Sequence, residues 1–261
     1  MDIIVCIKQV PATTEVKINP QTNTLVREGI ESIINPFDNY AIEESLRIRE
    51  RLGGTVTVLS MGPPQAEKAL RDALSLGCDD AILLSDRAFS GADTLATSYT
   101  LAQGIRKMGN FDLIICGKQA IDGDTAQVGP GVAENLGIPC VTYVKKIEEL
   151  KEGYIKVERM MEEGYEILRS PLPVLLTVVK EINEPRLPSL KGMMKARKAE
   201  ITVWNAADLV CEMNRIGQPG SPTWVSKIFA PPPREGGEML IGSAEEQAEK
   251  LIQKLREAML I

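Results

Sequence analysis

The sequence predicts an α/β protein with a mostly parallel, doubly wound sheet, an antiparallel extension and a C-terminal arm. Strand-like apolar runs and helix-like segments alternate four times over the first half of the chain, which is typical of a parallel sheet with right-handed crossovers. After Pro139 the pattern changes to β-rich runs separated by Glu-Gly pairs, as in antiparallel strands. Residues 201–242 are rich in turns and prolines. Because such a segment seldom folds alone, we expect it to wrap over another surface.

The elements of the first half follow from apolar spacing and from the positions of glycine and proline. Asn35 can cap the first helix, Pro36 can occupy its first position, and Gly53-Gly54 ends it. A cap at Asp124-Thr125 is expected for the fourth helix. The predicted strands are 2–10, 55–60, 81–84 and 111–116, with a small hairpin at 16–26, and the predicted helices are 36–52, 66–76, 92–108 and 126–136.

The second half is predicted from β-branched runs and from one clear helix start. Ser243, with Glu246 three residues later, forms the two halves of a capping box before an amphipathic run. The predicted strands are 141–147, 154–161, 166–169 and 174–179, followed by an extended stretch at 184–192, a short segment at 193–197 and a final helix at 243–259.

The composition of this 261-residue chain argues against several classes of protein. Its formal charge of -6 is unfavourable for a general nucleic-acid binder. The first ten residues have neither the basic start nor the cleavage site of a signal peptide. No apolar run approaches the roughly 20 residues that span a bilayer. We therefore expect a cytoplasmic protein that binds no nucleic acid and does not span a membrane.

Side chains that commonly perform catalysis are scarce. The chain contains no histidine, which removes the Ser-His-Asp triad, Cys-His nucleophiles and H-E-x-x-H zinc sites. Its five cysteines are widely spaced and form no C-x-x-C motif, so neither a disulfide framework nor structural zinc is expected. We assign no catalytic side chain and no metal ligand. Any chemistry is expected to come from a bound cofactor.

The loop that begins at Gly117 is the strongest candidate for a binding site. It lies between a predicted strand and a predicted helix, where open parallel sheets bind nucleotides because backbone N–H groups and the helix dipole attract an anion. A plain connection is the alternative, but such a connection does not need this composition. The glycines are Gly117, Gly123 and Gly129, and the polar residues are Lys118, Gln119, Asp122, Thr125 and Gln127. No P-loop motif is present, and Gly129-Pro130-Gly131 has Glu134 where a dinucleotide fingerprint has its third glycine.

Four stretches together resemble the small, or beta, subunit of electron transfer flavoproteins. They occur in the family's order and the similarity covers essentially the whole chain. The stretches are VCIKQVP at 5–11, NPFDNYAIEESLRIRE at 35–50, GKQAIDGDTAQVGP at 117–130 and EPRLPSLKGMMKARK at 184–198. The resemblance implies an α/β nucleotide-binding domain at 1–200 and an arm with a terminal helix at 201–261 that embraces a larger alpha subunit.

The resemblance also implies which residues contact the adenosine part of a bound nucleotide. Without it, Cys6 would be interpreted as a small core residue and Asn35 as a simple helix cap, and Asn35 can have both roles. The implied contacts are Cys6, Asn35, Pro36, Phe37, Asp38, Met61, Gly117, Lys118, Gln119, Ala120, Ile121, Asp122, Gly123, Asp124, Thr125, Ala126, Gln127 and Val128.

Two branches of the family differ in this nucleotide. One holds structural AMP. The other holds a second FAD, which accepts hydride from NADH and divides the electron pair. One electron goes to ferredoxin or flavodoxin, and the other passes through the alpha-subunit FAD to a flavoprotein dehydrogenase, expected here to be of the acyl-CoA type. The loop at 122–130 resembles the FAD type, since the AMP type has an acidic residue where Gly123 stands. Glycine leaves room and free N–H groups for a second phosphate. The sequence GSPT at 220–223 also resembles this branch, although a turn in the arm is the favoured interpretation.

The stretch at 184–198 resembles the family's recognition loop, whose leucine, here Leu190, inserts into a partner dehydrogenase. An exposed leucine beside Lys191 and Lys195 fits an anchor with steering charges, while a solvated basic helix end is the alternative. A stand-alone adenine-nucleotide protein is a third hypothesis for the chain as a whole. It is disfavoured because the sequence has neither a P-loop nor a pyrophosphatase loop.

Overall fold

A nine-stranded sheet forms the centre of the protein. The computed structural model describes residues 1–12, 18–19, 24–25, 31–226 and 236–261. The strands are β1 Asp2–Cys6, β2 Gln9–Pro11, β3 Ile18–Asn19, β4 Thr24–Leu25, β5 Ser32–Ile34, β6 Thr55–Met61, β7 Asp80–Leu84, β8 Leu113–Gly117, β9 Cys140–Lys151, β10 Tyr154–Met161, β11 Gly164–Pro171, β12 Val174–Val178 and β13 Thr202–Trp204. The helices are α1 Pro36–Leu52, α2 Glu67–Leu76, α3 Thr94–Met108, α4 Val128–Leu136, α5 Leu190–Lys198 and α6 Ala244–Glu257.

The sheet has the order β11-β10-β9-β12-β8-β1-β6-β7-β13. From β9 to β13 across this order, all neighbouring strands are parallel. β10 and β11 extend the sheet in antiparallel pairs beyond β9. The predicted parallel sheet with an antiparallel extension is confirmed.

Helices cover both faces of the sheet, which makes the fold doubly wound. Ile3 and Val5 of β1 face one core with the buried residues of α1 and α2. Ile4 and Cys6 face the other core with those of α3 and α4. Because successive strand residues point to opposite faces, a continuous apolar strand supplies both cores.

The predicted first strand at 2–10 is divided into two strands. β1 ends at Cys6, whereas β2 pairs with β5 in a separate two-stranded sheet. The division occurs at Lys8, whose backbone N–H donates to Asp38 Oδ2 at 2.7 Å instead of to a neighbouring strand. At this point the backbone N–H therefore bonds to a buried carboxylate and not to a neighbouring strand of the sheet. Apolar spacing alone could not reveal that.

Two helices begin later than predicted. α4 starts at Val128, not 126, because Asp124 and Ala126 have left-handed φ angles of 53° and 54° that a helix excludes. The expected cap at Asp124-Thr125 is therefore wrong. α3 starts at Thr94, not 92, and Asp93 is its cap.

The predicted hairpin is only partly within the described residues. Its strands β3 and β4 pair in antiparallel orientation, and the predicted turn at 20–23 lies outside the described residues. The main sheet ends in β11 on one side and, on the other, in a strand that we did not predict. This strand, β13, pairs with β7 and belongs to a stretch that was assigned to the arm.

The chain divides into a first unit, Met1–Ser226, and a second unit, Lys227–Ile261. The second unit contains α6, whose predicted capping box is present: Ser243 accepts the N–H of Glu246, and the Glu246 side chain accepts the N–H of Ser243. Within the described ranges, no helix has the length and hydropathy needed to cross a membrane. That residues 201–261 embrace another subunit stays a prediction.

Candidate functional site

A cleft opens at the carboxyl ends of β1, β6 and β8, with the loop after β8 as one wall. Its volume is about 360 Å³, which lies in the range of small-molecule sites. The first turns of α3 and α4 also line it. Open parallel sheets bind their ligands at this edge.

Most residues that the family resemblance assigns to a nucleotide line this cleft. Pro36, Phe37, Ile121 and Asp122 do not. The ring of Phe37 instead borders an adjoining surface cleft of about 940 Å³, together with Tyr143. The residues that do line the first cleft are Cys6, Asn35, Asp38, Met61, Gly117, Lys118, Gln119, Ala120, Gly123, Asp124, Thr125, Ala126, Gln127 and Val128. Nucleotide contact itself stays a prediction for all of them.

Asn35 fixes the loop after β8. It occupies the N-cap position of α1, but its side chain makes no capping hydrogen bond, so the predicted side-chain cap is wrong. Its Nδ2 donates to the carbonyl oxygen of Gln119 at 2.9 Å, and its Oδ1 accepts the N–H of Ile121 at 3.1 Å. The amide thus satisfies two loop backbone groups that no strand or helix pairs.

Asp38 is buried beneath this clamp. Its Oδ1 accepts Asn35 Nδ2 at 3.0 Å and its Oδ2 accepts the Lys8 N–H at 2.7 Å. Burial raises the pKa of Asp38 to about 7, although hydrogen bonds from Asn35, Lys8 and Gly117 oppose that rise. All three neighbours are donors, so the ionised carboxylate is the form that satisfies them.

Two glycines of the predicted loop are needed for close packing. A Cβ on Gly117 would lie 2.3 Å from Asp38 Oδ1, and a Cβ on Gly129 would lie 2.6 Å from Thr177 Cγ2. Both positions therefore exclude larger residues without any ligand. Gly123 differs, since an added Cβ there would meet nothing within 4 Å and its φ is not left-handed.

The outer part of the loop is held by polar contacts of its own. Lys8 Nζ pairs with Asp122 Oδ1 at 2.7 Å, and the Gln119 amide donates to Asp124 Oδ1. The Asp124 N–H donates to the carbonyl oxygen of Ala120 at 2.9 Å. Asp124 and Ala126 are left-handed without being glycine, and such backbone strain persists where the surrounding structure enforces it, often at binding sites.

The first turn of α4 lines the same cleft. Gln127, at the N-cap, makes no side-chain capping bond, and Pro130 in the first turn has no N–H. Free N–H groups and the positive end of a helix dipole attract anions. Lys8 and Lys118 also line the cleft, but the Lys8 ammonium is paired with Asp122, so the backbone N–H groups of α4 are the donors that suit phosphate oxygens at this end.

One wall of the cleft was missed at the sequence level. The missed residues are Ile7, Lys8, Ala92, Asp93, Thr94, Thr97, Leu101 and Cys116. The signal was available for some of them, because Asp93-Thr94 is a capping sequence after the third predicted strand, and parallel strands place their following helices at one edge.

Asp93 binds two separate segments. Its Oδ1 accepts the N–H groups of Leu95 and Ala96, and its Oδ2 accepts Thr223. Burial would raise the pKa of Asp93, but the hydrogen bonds from Ala96, Thr223 and Leu95 hold it below its ordinary value. The GSPT sequence at 220–223 therefore reaches the cleft wall through Asp93.

The cysteines are thiols without an activating environment. Cys6 and Cys116 are neighbours in register on β1 and β8, and a hydrogen bond between them together with burial raises the pKa of Cys116. Burial raises the pKa of Cys78 to about 12 and that of Cys140 to about 11. Among the described residues, no cluster of three or more His, Cys, Asp or Glu could hold a metal ion.

Leu190 begins α5 and is 78% exposed. Ser189 caps the helix by accepting the Gly192 N–H at 3.0 Å. The preceding extended stretch is fixed by Arg186, which pairs with Glu43 at 2.7 Å and with Glu50 at 2.5 Å on α1. A rigid support thus presents an apolar side chain to solvent.

Comparison with known proteins agrees with this architecture. A family model described as electron transfer flavoprotein domain matches residues 22–209. The chain is 53% identical to the electron transfer flavoprotein subunit beta of Thermoanaerobacterium thermosaccharolyticum, over 98% of each chain. It is 51% identical to the caffeyl-CoA reductase-Etf complex subunit CarD of Acetobacterium woodii over the full length of both, and 47% identical to protein FixA of Bradyrhizobium diazoefficiens over 97% of this chain and 90% of the other. The chain therefore belongs to the electron transfer flavoprotein family, as a beta subunit.

Proposed function

We propose that this beta subunit holds FAD in the cleft and serves in electron bifurcation with its alpha subunit. The bound FAD supplies hydride acceptance from NADH and one-electron transfer, which are reactions of the cofactor and not of side chains. In this proposal one electron leaves to ferredoxin or flavodoxin. The other passes through the alpha-subunit FAD to a flavoprotein dehydrogenase.

The open space at Gly123 is the observation that carries the proposal. Local packing explains glycine at 117 and 129, but neither packing nor φ requires glycine at 123. Gly123 lines the cleft in the same loop that leads to the uncapped start of α4. Room for a second phosphate at this position explains the missing side chain, and a dinucleotide has that phosphate whereas AMP has not.

The residues of this chain have binding and positioning roles in the proposal. The N–H groups at the start of α4 and the Lys118 ammonium would hold the phosphates. Asn35 and Asp38 keep the loop in its binding shape by the hydrogen bonds described above. No side chain needs to act as an acid or a base.

The proposed function requires two protein partners, an alpha subunit and a dehydrogenase. Beta subunits of this family pair with an alpha subunit. The name of the CarD relative connects that protein with a caffeyl-CoA reductase, and for this chain we accordingly propose a dehydrogenase of the acyl-CoA type. Leu190, exposed on its rigid support, is the proposed docking anchor, and the cytoplasm is the proposed compartment.

Substitution of Gly123 tests the proposal. We expect Gly123→Asp to weaken FAD binding by about tenfold or more, because the new carboxylate is placed beside phosphates. The measurement is a titration of the nucleotide-depleted heterodimer with FAD. Gly237→Asp is the matched control, since Gly237 also has no neighbour within 4 Å of an added Cβ and belongs to the second unit. Equal FAD affinities in the two variants would contradict the assignment of the loop.

The alternative is a non-bifurcating beta subunit with structural AMP in the same cleft. It shares the fold and the adenosine contacts but leaves the open position at Gly123 unexplained. A stand-alone adenine-nucleotide protein is a weaker alternative, because the chain belongs to a family of paired subunits.

A further inference from the structure

The loop before α3 is packed tightly against residues 217–223, which we call the C-terminal turn. The Gln218 N–H donates to the carbonyl oxygen of Ser90 at 3.0 Å. A Cβ added to Gly217 would lie 2.0 Å from the carbonyl oxygen of Ala88, and one added to Gly91 would lie 3.1 Å from Gln218 Cβ. Two backbone segments that are more than a hundred residues apart in sequence are thus in direct contact.

Asp93 joins the C-terminal turn to α3. Its backbone N–H donates to Ser221 Oγ at 2.8 Å. Its Oδ2 accepts the Thr223 N–H at 3.1 Å and the Thr223 hydroxyl at 2.9 Å. Its Oδ1 remains for the α3 cap and accepts Leu95 N–H at 2.9 Å and Ala96 N–H at 3.1 Å. Each carboxylate oxygen therefore serves one of the two segments.

The end of α3 that Asp93 caps is part of the cleft. Ala92, Asp93, Thr94 and Thr97 all line it. Thr94 Oγ1 donates to Gln127 Oε1 at 2.9 Å, and Gln127 is the residue before α4. The orientation of Asp93 therefore affects the position of this cleft wall. It also affects the contact between the wall and the start of α4.

We propose that Asp93 is a positioning residue for nucleotide binding and that the C-terminal turn acts on nucleotide affinity through it. The inference rests on the proposed function in one respect, that a nucleotide occupies the cleft. Among the described residues, the hydrogen bonds of the C-terminal turn reach the cleft lining at Asp93, so we expect the turn to act through this wall of the cleft. Because thermodynamic coupling is reciprocal, a turn that strengthens nucleotide binding is itself stabilised by the bound nucleotide, by the same free energy.

Substitutions of Thr223 test the inference. Thr223→Val keeps the shape and removes the hydroxyl donor, whereas Thr223→Ser restores it. Thr55→Val is the matched control, because Thr55 Oγ1 also donates to a carboxylate, Asp2 Oδ1, at 2.7 Å. Thr55 lies at the amino end of β6, whereas the cleft lies at the carboxyl ends of the strands. Nucleotide-depleted heterodimers are titrated with FAD and with AMP, and their melting temperatures are recorded.

We expect Thr223→Val to weaken binding of the nucleotide that the wild type binds by about three- to tenfold, the effect of losing one hydrogen bond of ordinary net strength. Thr223→Ser should recover most of that affinity. In the wild type, added nucleotide should slow hydrogen exchange in residues 217–223. An affinity of Thr223→Val equal to that of Thr55→Val, or unchanged exchange in the turn, would overturn the inference. A wild type that binds neither FAD nor AMP would instead remove the proposed function and this inference with it.

Discussion

Asp38 shows at the scale of one residue how the cleft is built. It is a carboxyl group that lines the candidate cleft, and its two oxygens are already used by Asn35 and by the backbone of Lys8. The side chain therefore supports the loop and not the ligand directly. Such a group is costly to bury in its ionised form, which explains why its pKa is raised to about 7.

The raised pKa predicts a pH dependence of stability. The unfolded carboxyl has its ordinary pKa of 3.8 and the folded one a pKa of about 7. The folded state therefore binds the extra proton between those values, and the free energy of unfolding falls as the pH rises through about 4 to 7. At about 1.4 kcal/mol per pKa unit, the contribution of Asp38 is on the order of 4 kcal/mol.

Denaturant unfolding across this pH range checks the prediction. In Asp38→Asn the fall attributable to this group should disappear, so that the difference from the wild type changes with pH. Asp112→Asn is the control, since Asp112 is another carboxylate that accepts a backbone N–H, that of Asp2 at 2.7 Å. Parallel pH profiles for the wild type and Asp38→Asn would contradict the assigned cause.

At the scale of an element, the segment around α5 combines a rigid base with an exposed apolar tip. Arg186 pairs with two carboxylates of α1, and Ser189 caps the helix. Leu190 follows the cap and remains exposed. A side chain that is preorganised in this way loses little conformational freedom when a partner covers it.

Leu190→Ala should therefore slow electron delivery to the dehydrogenase by about tenfold or more, the effect of removing an interface hot spot. The flavin content should stay unchanged. Steady-state reduction of the dehydrogenase, measured with the intact heterodimer, checks this. Leu52→Ala is the control because Leu52 is also an exposed leucine, at the end of α1. Equal rates for both variants would make Leu190 an ordinary surface residue.

The elements also show which features sequence patterns can reveal. The core strands and α1 were predictable because their apolar spacing and their glycine and proline positions are local signals. β13 was not, because Thr202–Trp204 forms a strand only where the edge of β7 accepts it. The start of α4 was misplaced for a similar reason, since the left-handed φ angles of Asp124 and Ala126 depend on contacts across the loop.

The candidate site was predictable to a similar extent. The edge of the sheet follows from the order of strands and helices, and the loop at 117–128 follows from its composition and from the family resemblance. The role of Asn35 could not be derived, because its partners Gln119 and Ile121 are more than eighty residues away in sequence. The contact of Asp93 with Thr223 is equally remote in the chain.

At the scale of the whole molecule, the first unit contains the candidate cleft, the C-terminal turn and the α5 segment. The cleft lies at the carboxyl ends of the strands, and α5, which carries the proposed docking residue Leu190, packs beside α2. The cleft lining comes from residues 6–129, and the C-terminal turn reaches it through Asp93. This arrangement suits a subunit that binds a cofactor and passes electrons to other proteins.

The nucleotide content of this chain, co-expressed with its alpha subunit, tests the central claim most directly. Acid release followed by chromatography separates and quantifies FAD and AMP. We expect two FAD per heterodimer and no AMP, together with NADH-dependent reduction of ferredoxin. One FAD and one AMP per heterodimer would contradict the claim and would identify a simple electron carrier whose Gly123 has another explanation.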